Sequence, residues 1–184
     1  LEAQLLLGQI LLVGKKVDEA AAKAAFVLEK EPENIDALSL KAGTLLLAEK
    51  FAEATEVLEN VVTLDPKRSS AFMTLANVAA RQGHYSDAED YLENAINADP
   101  KAPKPRLALA VLYESQGNYD KAKAELKEAI ANGVEEQALM GQLANFYLRR
   151  GDLQAAEETY LKIVEMNPEE IGPLARLGSF YASQ

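Results

Sequence analysis

With 184 residues, 48% hydrophobic and 26% charged side chains, no Trp and few Gly or Pro, the chain has the composition of a mostly helical soluble protein and not of a disordered one. A formal charge of -10 and a pI near 4.7 argue against nucleic acid and anionic lipid, both of which select a concentrated basic face. The absence of Cys excludes a disulfide framework, a thiolate metal site and a Cys nucleophile, and it fits a cytoplasmic or a periplasmic setting equally, so the compartment stays open.

A fixed period organises the chain. Pro32, Pro66, Pro100 and Pro168 are separated by 34, 34 and 68 residues, and Ala20, Ala54, Ala88, Ala122 and Ala156 keep the same step of 34. Cutting at this period yields units 1–34, 35–68, 69–102, 103–136 and 137–170, with 171–184 matching the first part of a sixth. The predicted architecture is one array over 1–184, all-α, in which each unit is a hairpin of two helices.

In unit 1–34 the apolar stretch from Leu5 to Val13 is interrupted by Gly8 and Gln9, is too short to cross a bilayer and follows no basic region, so it reads as a packed helix. Unit 35–68 carries Ala42 in its first segment and Ala54 and Leu58 in its second. Unit 69–102 shows the two helical stripes most clearly: Phe72, Leu75, Ala76 and Ala79, then Ala88, Leu92, Ala95 and Ile96. Unit 103–136 opens on Pro103 and Pro105, suited to a first helical turn, and closes on Asn132-Gly133 where the other units close on Pro. Unit 137–170 repeats the pattern with Leu143, Ala144, Tyr147, Ala156 and Tyr160. The segment 171–184 supplies Leu174, Leu177, Phe180 and Tyr181, an apolar face that calls for a cover. With no Met at the start and half a unit at the end, the chain reads as a piece of a longer polypeptide.

Gly83, Gly117 and Gly151 fall where first helices end, a place for positive φ. Small residues recur at the eighth place of every unit, namely Gly8, Ala42, Ala76, Ala110, Ala144 and Gly178, and the Ala20 series faces them from the second helices. Leu75, Leu109, Leu143 and Leu177, then Tyr113, Tyr147 and Tyr181, with Leu58, Leu92, Leu126 and Tyr160 opposite, alternate large with small side chains as interdigitated packing requires.

This pattern resembles the tetratricopeptide repeat family. In unit 69–102 alone Phe72, Leu75, Ala76, Tyr85, Ala88, Ala95 and Pro100 stand in the family's register. Departures are Gln4 and Arg106 in place of a bulky residue, Lys41 in place of Leu, and Val134 in place of Pro. The resemblance implies a right-handed superhelical solenoid whose first helices line a concave groove. On that basis the candidate groove residues are Gln9, Met73, Asn77, Arg81, Lys104, Leu107, Val111, Gln142, Asn145, Arg149 and Arg176, with Leu5, Leu12, Ser39, Gly43, Glu114, Gly141 and Ser179 at neighbouring groove places. Asn77 and Asn145 are the best donors to a bound backbone, and Arg81, Lys104, Arg149 and Arg176 form a mild cationic track. The two-carboxylate clamp of chaperone-binding relatives is not assembled: Leu5, Ser39, Met73, Leu107 and Gly141 stand where its first Lys belongs, and Ala108 stands where Lys104 needs an Arg companion.

Nothing in the sequence carries chemistry. His84 is the single histidine and sits in a turn, and acidic pairs such as Asp18-Glu19, Asp87 with Glu89-Asp90, and Glu157-Glu158 fall at helix starts, where negative charge meets the positive end of the helix dipole. No phosphate loop, nucleophile elbow or zinc helix motif occurs, and no catalytic residue, metal or cofactor is expected. The expected function is a protein-interaction scaffold, of bacterial type from its even repeats and high Ala content, gripping a peptide or partner segment in the groove. The alternatives are self-association through the C-terminal helix or a role as accessory region of a larger exported or enzymatic protein.

Overall fold

The computed structural model describes residues 1–133, 136–166 and 168–184; Val134, the substitute for Pro, lies outside them. Eleven α-helices and no strand occur among the described residues: α1 Glu2–Val13, α2 Val17–Leu28, α3 Ile35–Leu47, α4 Phe51–Leu64, α5 Ser69–Arg81, α6 Tyr85–Ala98, α7 Pro103–Ser115, α8 Tyr119–Asn132, α9 Glu136–Arg149, α10 Leu153–Met166 and α11 Ile171–Ala182. This is an all-α helical-repeat solenoid. Two compact units divide the helices, Leu1–Asp99 with α1 to α6 and Pro100–Gln184 with α7 to α11.

The five turns inside hairpins share one geometry. The N–H of Lys16, Lys50, His84, Asn118 and Asp152 each reaches back five residues, to the carbonyls of Leu11, Leu45, Ala79, Tyr113 and Tyr147, at 2.8 to 3.0 Å. That closure places the preceding residue in the left-handed region. Gly83, Gly117 and Gly151 occupy it with φ of 82, 77 and 71°, as their spacing predicts, but in the first two hairpins Lys15 and Glu49 hold it with φ of 58°.

Other boundaries have local causes. Asn34 caps α3 by accepting a hydrogen bond from the Ala37 N–H at 2.9 Å. Pro103 starts α7, where its missing N–H has no helical partner to lose. Gly133 ends α8 in an extended conformation, and its reason is space: an added Cβ would lie 2.5 Å from both the Ala129 carbonyl oxygen and Leu139 Cδ1.

The core follows the repeat. Ala20, Ala54, Ala88, Ala122 and Ala156 are each 0% exposed, so no larger side chain fits where first and second helices cross. Ala42, Ala76, Ala110 and Ala144 are buried likewise, and at Gly8 a Cβ would collide with Leu40 Cδ2. In unit Leu1–Asp99, Leu38, Leu58, Val61, Ala71 and Leu75 form one cluster and Leu5, Ala24, Val27, Ala37 and Leu40 another. In unit Pro100–Gln184, Met140, Tyr160, Ile163 and Phe180 pack around Ala144 and Ala156.

Three expectations change. Leu5 is core and not groove lining, because α2 and α3 close over it. Gly178 is exposed, and nothing lies within 4 Å of a Cβ added there. Phe180, expected on the open apolar face, is buried with its ring centroid 5.7 Å from that of Tyr160.

Candidate functional site

The expected groove residues fall in both compact units. In unit Leu1–Asp99, Gln9 and Asn77 are exposed and Met73 is half-buried. Arg81 does not stand free: its guanidinium lies 5.0 Å from the Phe51 ring centroid, a cation–π contact between α5 and the start of α4. Leu12 is half-buried and presses on Gly43, where an added Cβ would lie 2.7 Å from Leu12 Cδ2.

In unit Pro100–Gln184 the first helices are α7, α9 and α11. Lys104 and Val111 are exposed on α7 and Leu107 is half-buried. Arg149, at the end of α9, donates from Nε to Glu114 Oε1 at 2.9 Å and from Nη2 to Oε2 at 2.8 Å. Those hydrogen bonds hold the Glu114 carboxyl below the ordinary glutamate range and raise the Arg149 guanidinium above its ordinary value. Of the expected cationic track, Arg149 is paired with Glu114 within the protein and Arg81 keeps its charge over the Phe51 ring.

Gln142, Asn145 and Arg176 do come together. They line a cavity of about 420 Å³ with Ala138, Gly141 and Tyr160, built from α9, α10 and α11. Helical spacing puts Ala138, Gly141, Gln142 and Asn145 on one side of α9. Tyr160 Oη reaches from α10 and donates to Asn145 Oδ1 at 3.1 Å. Arg176 reaches from α11, with Nη1 3.3 Å from where a Gly141 Cβ would sit. The missing side chain at Gly141 makes the seat for the guanidinium.

Tyr160 is the cavity-lining residue that periodicity alone misses. It reads as packing because Leu58, Leu92 and Leu126 hold its place in earlier units; the signal is the hydroxyl that only this unit adds. His84 is exposed in the turn between α5 and α6, and among the described residues no three metal-capable side chains gather. Nor is any described helix long and apolar enough to cross a membrane.

Comparison with known proteins bears on this architecture. The sequence profile of the tetratricopeptide repeat matches residues 79–138, and a second profile of the same description matches 138–170. Residues 14–95 match the profile of anaphase-promoting complex, cyclosome, subunit 3. A thermophilic TPR protein of Thermus thermophilus is 26% identical and superimposes with a TM-score of 0.66 over 98% of each chain. The chain is a tetratricopeptide repeat protein.

Other solved structures share its fold. PilF of Pseudomonas aeruginosa is 19% identical, with a TM-score of 0.69 over 99% of this chain and 81% of that one. YrrB, described as a TPR protein with an unusual peptide-binding site, is 16% identical, with a TM-score of 0.60 over 94% of this chain and 89% of its own. No curated protein matches the sequence. As a tetratricopeptide repeat protein the chain has the fold of a protein–protein interaction scaffold.

Proposed function

We propose that this tetratricopeptide repeat protein holds a segment of a partner protein against its first helices and performs no catalysis itself. The observation that carries the reading is the cavity built from α9, α10 and α11, where Gln142, Asn145 and Arg176 converge with Ala138 and Tyr160; in the same compact unit α7 carries the exposed Val111 and the half-buried Leu107. Amide donors next to apolar surface suit an extended or helical peptide, which needs partners for its backbone and shelter for its side chains. The description of YrrB supports the same use of the fold.

The test is selection from a displayed peptide library, followed by hydrogen-exchange footprinting of the selected peptide. Protection of α7, α9 and α11, lost in a folded Leu107→Glu, Asn145→Ala variant, is the expected result. Equal recovery of peptides by the chain and the variant would move the binding surface elsewhere.

A second reading has its own observation. On α11, Ile171 is 81%, Leu174 46% and Tyr181 49% exposed, an apolar row suited to a second copy of the chain. Light scattering across a concentration series, with Leu174→Glu as control, decides it. Phe180 is unsuitable for that control because it is core. A chain that stays monomeric at high concentration excludes self-association.

A further inference from the structure

We propose that α1 of one copy of this chain lies antiparallel on α11 of a second copy, joining the copies head to tail. The inference rests on the self-association reading above and names the surface that α11 meets.

Only Glu2 is charged among the residues of α1, and leucines are spread round every side of that helix. A helix apolar all round belongs in an interior. Yet Ala3, Leu6, Ile10 and Val13 are exposed, Leu6 and Ile10 at 61% and Val13 at 86%. Spacings of three, four and three residues put them on one stripe. Later repeats show what the stripe is made to meet. Ala37 and Ala71, at the place of Ala3, are buried in clusters with Val27 of α2 and Val61 of α4. Phe180, at the place of Ile10, is buried with Tyr160 and Ile163 of α10. In each case the cover includes another helix.

α11 carries an exposed stripe of the same spacing, Ile171, Leu174, Gly178 and Tyr181. Laid antiparallel, Val13 meets Ile171, Ile10 meets Leu174, Leu6 meets Gly178 and Ala3 meets Tyr181, all in one register. Nothing lies within 4 Å of a Cβ added to Gly178, so Leu6 finds room there. The Tyr181 hydroxyl already binds Glu157, so covering the ring leaves no donor unpaired.

Spacing alone would let each stripe meet its own kind; packing and charge decide the partner. Lys15 follows the α1 stripe and Glu169 precedes the α11 stripe, both exposed and neither in an ion pair among the described residues. The mixed register brings these opposite charges side by side, and charges flanking an apolar seam set partner and orientation. α11 against α11 would instead set Glu169 beside Ser183, and α1 against α1 would set Leu6 on Ile10 at both central levels with no small residue between. Only the mixed pair supplies both a gap for a large side chain and a countercharge.

The test is analytical ultracentrifugation of the intact chain and of two variants that each keep one end: Leu6→Glu with Ile10→Glu, and Ile171→Glu with Leu174→Glu. All four positions are exposed, and both variants are checked for unchanged helicity. The parent should associate as concentration rises, and each variant alone should stay monomeric. Their equimolar mixture should stop at a one-to-one pair, because one α1 and one α11 remain intact. Lys15→Glu should weaken association of the parent roughly threefold, and Glu169→Lys in the same chain should restore it. Glu49 holds the matching turn position of the next hairpin with φ of 58°, so the turn accepts Glu.

If the variant changed in α1 still dimerises, α11 meets itself; if the variant changed in α11 does, α1 meets itself. Either result, a mixture that stays monomeric, or a charge swap that restores nothing overturns the head-to-tail contact while self-association of the parent stands. A parent that is monomeric at every concentration removes the self-association reading and this contact with it, and leaves the groove reading untouched.

Discussion

Arg149 grips Glu114 with two hydrogen bonds, Nε to Oε1 at 2.9 Å and Nη2 to Oε2 at 2.8 Å, and thereby ties α9 to α7 on the first-helix face. The pair is lopsided in its exposure, since the Arg149 side chain is 55% and the Glu114 side chain 23% accessible. Solvent screening on the arginine side keeps its contribution to roughly 0.5–1 kcal/mol despite ideal geometry.

Its pH dependence has a definite sign. The folded-state pKa of Glu114 is lowered, first by the hydrogen bonds from Arg149, so the folded protein holds the ionised form more firmly than the unfolded chain does. The stabilisation is complete above the ordinary glutamate value of about 4.3 and disappears as pH falls through the lower folded value. Glu114→Gln should thus lower stability at pH 7, and chemical denaturation of both proteins should show the difference shrinking below about pH 4. A difference independent of pH would mean that the carboxylate charge is not what matters.

The turn geometry predicts which substitutions stabilise. Lys15 and Glu49 carry φ of 58°, where an L side chain costs roughly 1–2 kcal/mol, whereas glycine meets no such cost. Part of that gain is offset by the wider freedom of Gly in the unfolded chain. Lys15→Gly and Glu49→Gly should each add roughly 0.5–1 kcal/mol, and Gly83→Ala should remove a comparable amount. Nothing lies within 4 Å of a Cβ added to Gly83, so its cost is that of the backbone alone. Thermal denaturation measures all three; a loss on placing Gly at 15 or 49 would show that those side chains contribute contacts that outweigh the strain.

Lys41 stands where Leu75, Leu109 and Leu143 are buried in later hairpins, and it is exposed. Beside it lies a cavity of about 360 Å³ bordered by Leu38, Leu45, Val57, Asn60, Glu53 and Glu56. Lys41→Leu would restore the repeat's own packing residue and should raise stability by about 1 kcal/mol, read as an increased denaturant midpoint at unchanged slope. A lower midpoint would mean the leucine cannot enter and is left as exposed apolar surface.

The helices were legible because one residue in each crossing must be tiny. With Ala20, Ala54, Ala88, Ala122 and Ala156 wholly buried, the 34-residue step is a steric requirement, and it carries helix order and core together. The candidate site was legible in part: register places Gln142, Asn145 and Arg176 on first helices, but which cations are free depends on partners about a repeat away. Arg149 finds Glu114, 35 residues back, and Arg81 finds Phe51, 30 residues back, whereas Arg176 finds neither an acid nor a ring among the described residues. Periodicity averages over such side-chain choices. Leu5 misleads for a related reason, since α2 and α3 set Val27, Ala37 and Leu40 against it while groove register points outward.

Tyr160 joins the core of the last hairpin to the cavity, and its hydroxyl separates the two roles. The ring is buried against Phe180 and the cluster around Ala144 and Ala156, so truncation to Ala would collapse packing and say nothing about the site. Tyr160→Phe keeps the ring and removes only the donor to Asn145 Oδ1. Loss of one such hydrogen bond costs about 0.5–1.5 kcal/mol in stability, so the variant should fold with a modestly reduced melting temperature. The larger effect should fall on Asn145, whose amide is then free to rotate. Its Nδ2 protons should exchange faster with water in Tyr160→Phe than in the parent, while backbone amides of α9 keep their protection. If side-chain exchange is unchanged, the hydroxyl does not orient the amide, and the cavity's donors are held by packing alone.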